Sequence, residues 1–328
     1  MHDFLIVGAG LSGLCAAREL RKHGLTAVLV DKGRGLGGRM ATRRFEGAIF
    51  DHGAQFFTVR SPEFRREVEF WIENGAAREW FRGYPSPENA KPDDQYPRFC
   101  GVRGMTAISK FLAQDLEISF GEEIEFLARE DEIWRAKSQS GAVFEAANLI
   151  LTAPVPQSLA LLKNGGATLP HSAKDALENL VYEPCFAVLC VLDGPSQIPA
   201  PGALYVNSDP IWWLADNFQK GISPREGAVT IHSSAPFARE FYEHEPNEVG
   251  EMLIKAAKPW LGREVSAFQV RRWRYSKPEN PSQKGAVWVP ELRLAFAGDA
   301  LCGAKIEGAF ASGIGAARVF ERRLNRNP

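Results

Sequence analysis

The sequence predicts an α/β protein in which a parallel-sheet domain with a β-meander is assembled from both ends of the chain. A second domain, built on a mixed β-sheet, is inserted into it. Three observations predict this. The chain opens on a short apolar run, a glycine-rich turn and a helical stretch. It closes on the same grammar between about residues 292 and 320. Between them, from about 185 to 275, the pattern changes to successive β-runs. A length of 328 residues suits about two domains. The expected boundaries are 1–58, 99–160 and 287–328 for the first domain, and 59–98 with 161–286 for the inserted one.

The elements follow in order. Phe4-Leu5-Ile6-Val7 is a continuous apolar run, as a strand buried on both faces of a parallel sheet requires. After the glycines, Leu14, Ala17 and Leu20 recur at helical spacing and stop near Gly24. Ala27–Val30 form a second strand ending at Asp31, which completes a βαβ unit with an expected right-handed crossover. Ser61-Pro62-Glu63 opens a helix, with Ser61 as N-cap and Pro62 at the first helical position. Its inward stripe is predicted as Phe64, Val68, Trp71 and Ile72, with Gly75 as its stop. The prolines 85, 87, 92 and 97 mark an irregular surface excursion over 83–98. A helix is expected over 106–115, a meander near 117–127, 132–137 and 142–146, and a buried strand from Leu149 to Pro154. Further β-runs are expected at 186–192, 203–207, 211–215, 228–233 and 268–275, with a helix over 247–258. Leu292–Ala297 is the last strand, and Phe310, Ile314, Ala317 and Phe320 mark the inward face of the last helix.

Composition excludes several functions. Lys and Arg number 39 against 40 Asp and Glu, a net charge of −1, which is wrong for a nucleic-acid polymer. With 45% hydrophobic and 24% charged residues the chain is ordinary globular material. No stretch approaches the roughly 18 apolar residues of a membrane span. The apolar opening is not read as a signal peptide, because Asp3 stands where a basic residue belongs and glycines interrupt it. Cys15, Cys100, Cys185, Cys190 and Cys302 are odd in number and scattered, which predicts reduced thiols and a cytoplasmic protein. No metal site is expected, and no oligomer is evident.

Chemistry is carried by glycines. Gly8-Ala9-Gly10-Leu11-Ser12-Gly13 lies between a strand and a helix, as a dinucleotide-binding turn must. Its first glycine permits the tight turn, its second lets a diphosphate approach the backbone, and its third lets helix and strand pack closely. The helix N-terminus offers unpaired N–H groups to the phosphates. Asp31, 18 residues beyond Gly13, can accept hydrogen bonds from an adenosine ribose. That acid alone does not separate NAD from FAD.

Two further motifs do. Gly33-Arg34-Gly35-Leu36-Gly37-Gly38-Arg39 resembles the double-glycine-arginine signature of the amine-oxidase-like FAD oxidoreductases. Leu294-Ala295-Phe296-Ala297-Gly298-Asp299, followed by Gly308-Ala309, resembles their C-terminal FAD motif, in which the acid binds the ribityl chain. Phe50-Asp51-His52-Gly53-Ala54-Gln55-Phe56-Phe57 resembles the stretch that runs past the isoalloxazine ring in that family. With these motifs the chain resembles, end to end, the renalases, a compact branch of the same flavoproteins. The Leu149–Pro156 strand and the segment with Trp273, Arg274, Tyr275 and Pro278 belong to the likeness.

The resemblance implies non-covalent FAD held by Gly8, Gly10, Leu11, Ser12, Gly13, Asp31, Lys32, Gly38, Arg39, Met40, Ala54, Gln55, Phe56, Gly298, Asp299, Glu307, Gly308 and Ala309. It implies oxidation of the 2- and 6-dihydro isomers of NAD(P)H to NAD(P)+, with O2 reduced to H2O2. The alternative is an amine oxidase acting on small amines. Loss of hydride from a dihydropyridine gives an aromatic cation directly, so the protein has mainly to orient the ring. The expected substrate-facing residues are His232, Trp213, Tyr275, Trp288 and Asn217. Trp212 and Trp213 cannot both face inward, because side chains alternate along a strand. Arg274 and Lys305 are read as ordinary surface charges, and His52 as a packing residue beside the flavin.

Overall fold

A computed structural model describes residues 2–86 and 94–324. Of the proline-rich excursion, residues 87–93 therefore lie outside the described residues. The chain divides into two compact units: Met1–Gly38, Ser109–Val181 and Pro278–Pro328 form the first, and Arg39–Ile108 with Tyr182–Lys277 form the second.

In the first unit one sheet runs in the order Val287–Val289, Leu294–Phe296, Val143–Leu151, His2–Val7, Ala27–Asp31, Glu117–Phe120. From Leu294–Phe296 onward, neighbouring strands are parallel. Val7 lies opposite both Val30 and Leu151, so the turn after the first strand emerges at the carboxyl ends of its neighbours. Phe4, Leu5 and Ile6 are all buried, which is why the strand reads as an unbroken apolar run. The helices Leu11–Lys22 and Ile306–Leu324 bury the stripes Leu14, Ala17, Leu20 and Phe310, Ile314, Ala317, Phe320. The meander strands Ile124–Glu130 and Ile133–Ser138 join the sheet through the start of Val143–Leu151. The expected strand over 117–127 breaks at Gly121, whose φ of +74° turns the chain from the parallel sheet into the meander.

In the second unit a sheet runs Ala203–Tyr205, Ile211–Asp216, Ala228–Ser233, Tyr182–Leu192, Val265–Pro278. Alternation along its strands builds two different faces. Phe186, Val188, Cys190 and Leu192 join Leu214, Val229 and Ile231 in a core with Phe237, Val249, Leu253 and Ala257 of the helices Ala235–Glu240 and Pro246–Leu261. On the other face Leu189, Val191 and Ala228 pack on Ala48 and Phe50 of the hairpin formed by Thr42–Phe45 and Ala48–Asp51. Beside them Trp213, Tyr205, Ala203 and Ala215 pack with Phe81, Phe56, Trp80 and Tyr84. Residues 39–58 and 99–108 group with the β-rich unit, where the hairpin's apolar residues are buried against the sheet, and residues 161–181 and 278–286 group with the first unit.

The helix Pro62–Glu73 starts where predicted, with Ser61 Oγ accepting from the Phe64 amide at 3.2 Å. Phe64, Val68 and Trp71 are buried, but Ile72 is 40% exposed, a correction to the predicted stripe. One residue further around the helix takes Ile72 about 100° off the buried line of Trp71.

Candidate functional site

The glycine turn expected to bind a nucleotide is built in the first unit. Gly8 has φ +112°, and a Cβ there would lie 2.4 Å from Thr152 Oγ1. The Thr152 hydroxyl donates to the Val7 and Gly8 carbonyls, tying the turn to the neighbouring strand. A Cβ on Gly13 would lie 2.0 Å from the Gly8 carbonyl oxygen, so helix and turn touch backbone to backbone. Gly10 differs: a Cβ there meets nothing within 4 Å. Two glycines are thus consumed by packing while the middle one leaves an open edge. The helix that starts at Leu11 has no side-chain cap, which leaves its first N–H groups for an anion.

The other expected cofactor residues of this unit surround that turn. Asp31 accepts from the amides of Ala9 and Gly33, each at 2.7 Å, which fixes its carboxylate beside the glycines. Gly38 approaches the turn, its Cβ position 3.6 Å from the Gly10 Cα. Leu11 and Ser12 are buried, and Ser12 Oγ donates to the Ala309 carbonyl at 2.8 Å. That bond and the close packing of Gly313 on the Ser12 carbonyl join the two helix starts, so Gly308, Ala309 and Glu307 lie at the same end of the unit. Gly298 donates to Ser312 Oγ at 2.9 Å and is followed by buried Asp299. Lys32 is largely exposed and 3.6 Å from Glu123, a surface pair. Lys305 is exposed as well.

The second unit contains the remaining expected residues. Arg39 and Met40 form a short turn, and the Ala54 amide donates to the Arg39 carbonyl at 2.8 Å. Gly53 is held so tightly against that carbonyl that a Cβ would lie 2.1 Å from it. Gln55 Nε2 donates to the Asp51 carbonyl at 2.7 Å, while its Oε1 is buried without a hydrogen-bond partner. Phe56 enters the aromatic cluster, 5.5 Å from Trp213.

At the root of this segment Asp51 is fully buried and fully engaged. Its Oδ1 accepts from Thr42 Oγ1 at 2.6 Å and from the Met105 amide at 2.8 Å. Its Oδ2 accepts from Lys220 Nζ at 2.7 Å. Lys220, also fully buried, donates to the Gln55 carbonyl at 2.6 Å and lies over the Trp80 ring at 4.5 Å. One ion pair therefore pins both ends of residues 51–55. The sequence reading missed Lys220, because nothing local separates Gln219-Lys220-Gly221 from a surface turn.

The substrate-facing candidates separate. His232 Nε2 is 3.3 Å from the His52 carbonyl, to which Trp273 Nε1 also donates at 2.9 Å. The His52 ring stacks on Trp273 at 5.2 Å. Burial pushes His232 down to about 4. Burial, aided by the positive charges of Arg271 and Arg43, pushes His52 down to about 4 as well. Both rings are neutral at pH 7. Trp213 is buried with its Nε1 unpartnered, while its neighbour Trp212 is 44% exposed. Tyr275 packs edge-on to Tyr182 at 5.5 Å.

Two candidates have other partners. Trp288 belongs to the first unit, with its ring 4.3 Å from Phe320 and not on the β-rich sheet. Asn217 is fully buried and consumed structurally: its amide donates to the Ala228 carbonyl and Thr230 Oγ1, and its Oδ1 accepts from the Asp51 amide. Arg274 pairs with Glu243 at 2.9 Å, on the surface. Among the described residues no helix is long and apolar enough to cross a membrane, and no group of His, Cys, Asp or Glu is arranged to hold a metal ion.

Comparison with known proteins agrees with this architecture. The chain is 26% identical to renalase of Mus musculus, over 99% of this chain and all of that one. Wild-type putrescine oxidase solved with putrescine superposes with a TM-score of 0.73 over 98% of this chain and 99% of that one, at 15% identity. A fatty acid isomerase from P. acnes superposes at 0.71 over 97% and 98%, at 13% identity. Residues 6–69 match the NAD(P)-binding Rossmann-like domain, and residues 69–319 match the flavin containing amine oxidoreductases. The open edge at Gly10, the uncapped helix start and the anchored Asp31 fit the diphosphate and ribose of FAD. The chain belongs to the flavin containing amine oxidoreductases, with FAD as its cofactor.

Proposed function

We propose that the protein oxidises the 2- and 6-dihydro isomers of NAD(P)H to NAD(P)+. The end-to-end likeness to renalase carries this reading, since that resemblance implies dihydronicotinamide substrates. The balance is one dihydronicotinamide, one O2 and one proton giving NAD(P)+ and H2O2. FAD, when bound, supplies the two-electron acceptor that O2 later regenerates.

The chain's own residues have little proton chemistry to perform, and the second unit suits that. His52 and His232 are held neutral by burial, so neither enters as a ready proton donor at pH 7. Two donors, from Trp273 and His232, fix the His52 carbonyl and the segment beyond it. Half-buried Trp273 and Tyr275 offer flat apolar surface, and buried Trp213 backs the Phe56 ring. Charge favours an anionic substrate over a cationic amine. The charged neighbours of His52 are arginines, and the buried carboxylate Asp51 is neutralised by Lys220. The five cysteines are odd in number and scattered, which suits a cytoplasmic setting.

Product stoichiometry tests the proposal. Under air, purified holoenzyme given the isomeric dihydronicotinamides should form NAD+ and H2O2 in equal amounts. Peroxide formed from small amines, with none from the isomers, would replace this reading by the amine oxidase.

A further inference from the structure

The strand Val265–Pro278 carries arginines on both of its faces, and the two sets differ in how they are satisfied. Phe268 and Val270 face the helical core, and so do Arg272 and Arg274 by alternation. Those two have partners: Arg272 donates to the Tyr242 carbonyl, and Arg274 pairs with Glu243. Gln269, Arg271 and Trp273 share the opposite face. Gln269 Oε1 accepts from Arg43 Nε at 2.5 Å, and Trp273 stacks on His52. Arg43 thus arrives from the hairpin strand Thr42–Phe45 onto the face that carries Arg271.

Among the described residues no carboxylate pairs with Arg43 or Arg271, although both are half-buried. Two guanidiniums brought together without an acid are costly unless something negative joins them, since like charges repel and burial raises the cost. The proximity registers on Arg271 itself, whose proton affinity is lowered by burial and then by Arg43. A third group points the same way. His52 is 7% exposed, its Nδ1 is buried without a hydrogen-bond partner, and its charged neighbours are these same arginines.

We propose that Arg43 and Arg271, with His52 Nδ1 beside them, form an oxyanion-binding subsite that takes the diphosphate of a dinucleotide substrate. A guanidinium presents paired donors that match phosphate oxygens, and two of them match a diphosphate. The subsite deepens the proposed function and rests on it for the identity of the substrate. The presence of an anion site itself does not depend on that reading.

The test uses FAD-loaded protein, so that the cofactor's own phosphate site is filled, and compares the parent with Arg43→Gln, Arg271→Gln and the double variant. The Arg271 side chain makes no hydrogen bond within the described residues, so Arg271→Gln removes charge without breaking one. Calorimetric titration with inorganic pyrophosphate should show binding to the parent, weakened about tenfold in each single variant and absent in the double variant. The ratio of kcat/KM for a dihydronicotinamide dinucleotide to that for the corresponding riboside should fall about tenfold per arginine, through KM. Added salt should erode the parent's ratio more than the double variant's. Equal pyrophosphate affinity in all four proteins, or none in the parent, would overturn the subsite. If pyrophosphate binds as expected but neither dihydronicotinamide is oxidised, the subsite stands and the proposed substrate falls.

Discussion

Lys220→Met should lower the free energy of unfolding by about 3–5 kcal/mol, the cost of leaving a buried charge without its partner. The partner is Asp51, fully buried, which would keep its bonds to Thr42 and the Met105 amide but lose the Lys220 ammonium. Methionine fills most of the volume, so the loss measures electrostatics more than a cavity. The double variant Asp51→Asn, Lys220→Met removes both charges and should regain most of the loss, because replacing a whole buried pair is often close to neutral. Urea denaturation of the holoenzyme, read by tryptophan fluorescence, checks both. A single variant as stable as the parent would mean that the pair does not hold residues 51–55.

The second large effect lies in the glycine turn, where neighbouring positions should behave differently. In Gly13→Ala the new methyl lies 2.0 Å from the Gly8 carbonyl oxygen, a backbone atom that cannot swing aside as the end of a flexible side chain could. Overpacking of this kind costs typically about 1–3 kcal/mol or more, and purified protein should be depleted of FAD. In Gly10→Ala the methyl meets no protein atom within 4 Å, so the fold should be untouched. FAD affinity should nonetheless fall by about tenfold or more, because the methyl occupies the edge that a diphosphate must approach. Absorbance near 450 nm per polypeptide, beside melting curves of the apoproteins, separates the two outcomes. Full FAD occupancy in both variants would contradict the assignment of this turn.

The parts of the molecule legible in the sequence were those set by short-range rules. The strand Phe4–Val7, the three glycines and Asp31 sit within one βαβ unit, where buried strands are apolar throughout and glycine is demanded by close packing. The Ser61 cap and the Gly75 stop were legible for the same reason. Alternation indicated that Trp212 and Trp213 point in opposite directions; only the sheet shows that Trp213 is the buried one. The hairpin over 42–51 was not recognised, because Thr42-Arg43-Arg44-Phe45 lacks an alternating apolar face and the hairpin gains its burial from strands far along the chain, at Leu189, Val191 and Ala228. The Lys220–Asp51 pair spans 169 residues and leaves no local trace. Arg271 was closer to hand: its parity with Trp273 on a predicted strand marks it as facing the same side, opposite to Arg274.

The measurement that tests the account most directly is anaerobic reduction of the bound flavin. Holoenzyme mixed without oxygen with the 2- and 6-dihydro isomers of NAD(P)H should bleach near 450 nm, with one equivalent of substrate consumed per flavin. A panel of small amines should leave the spectrum unchanged. Bleaching by amines, with the isomers inert, would contradict the account.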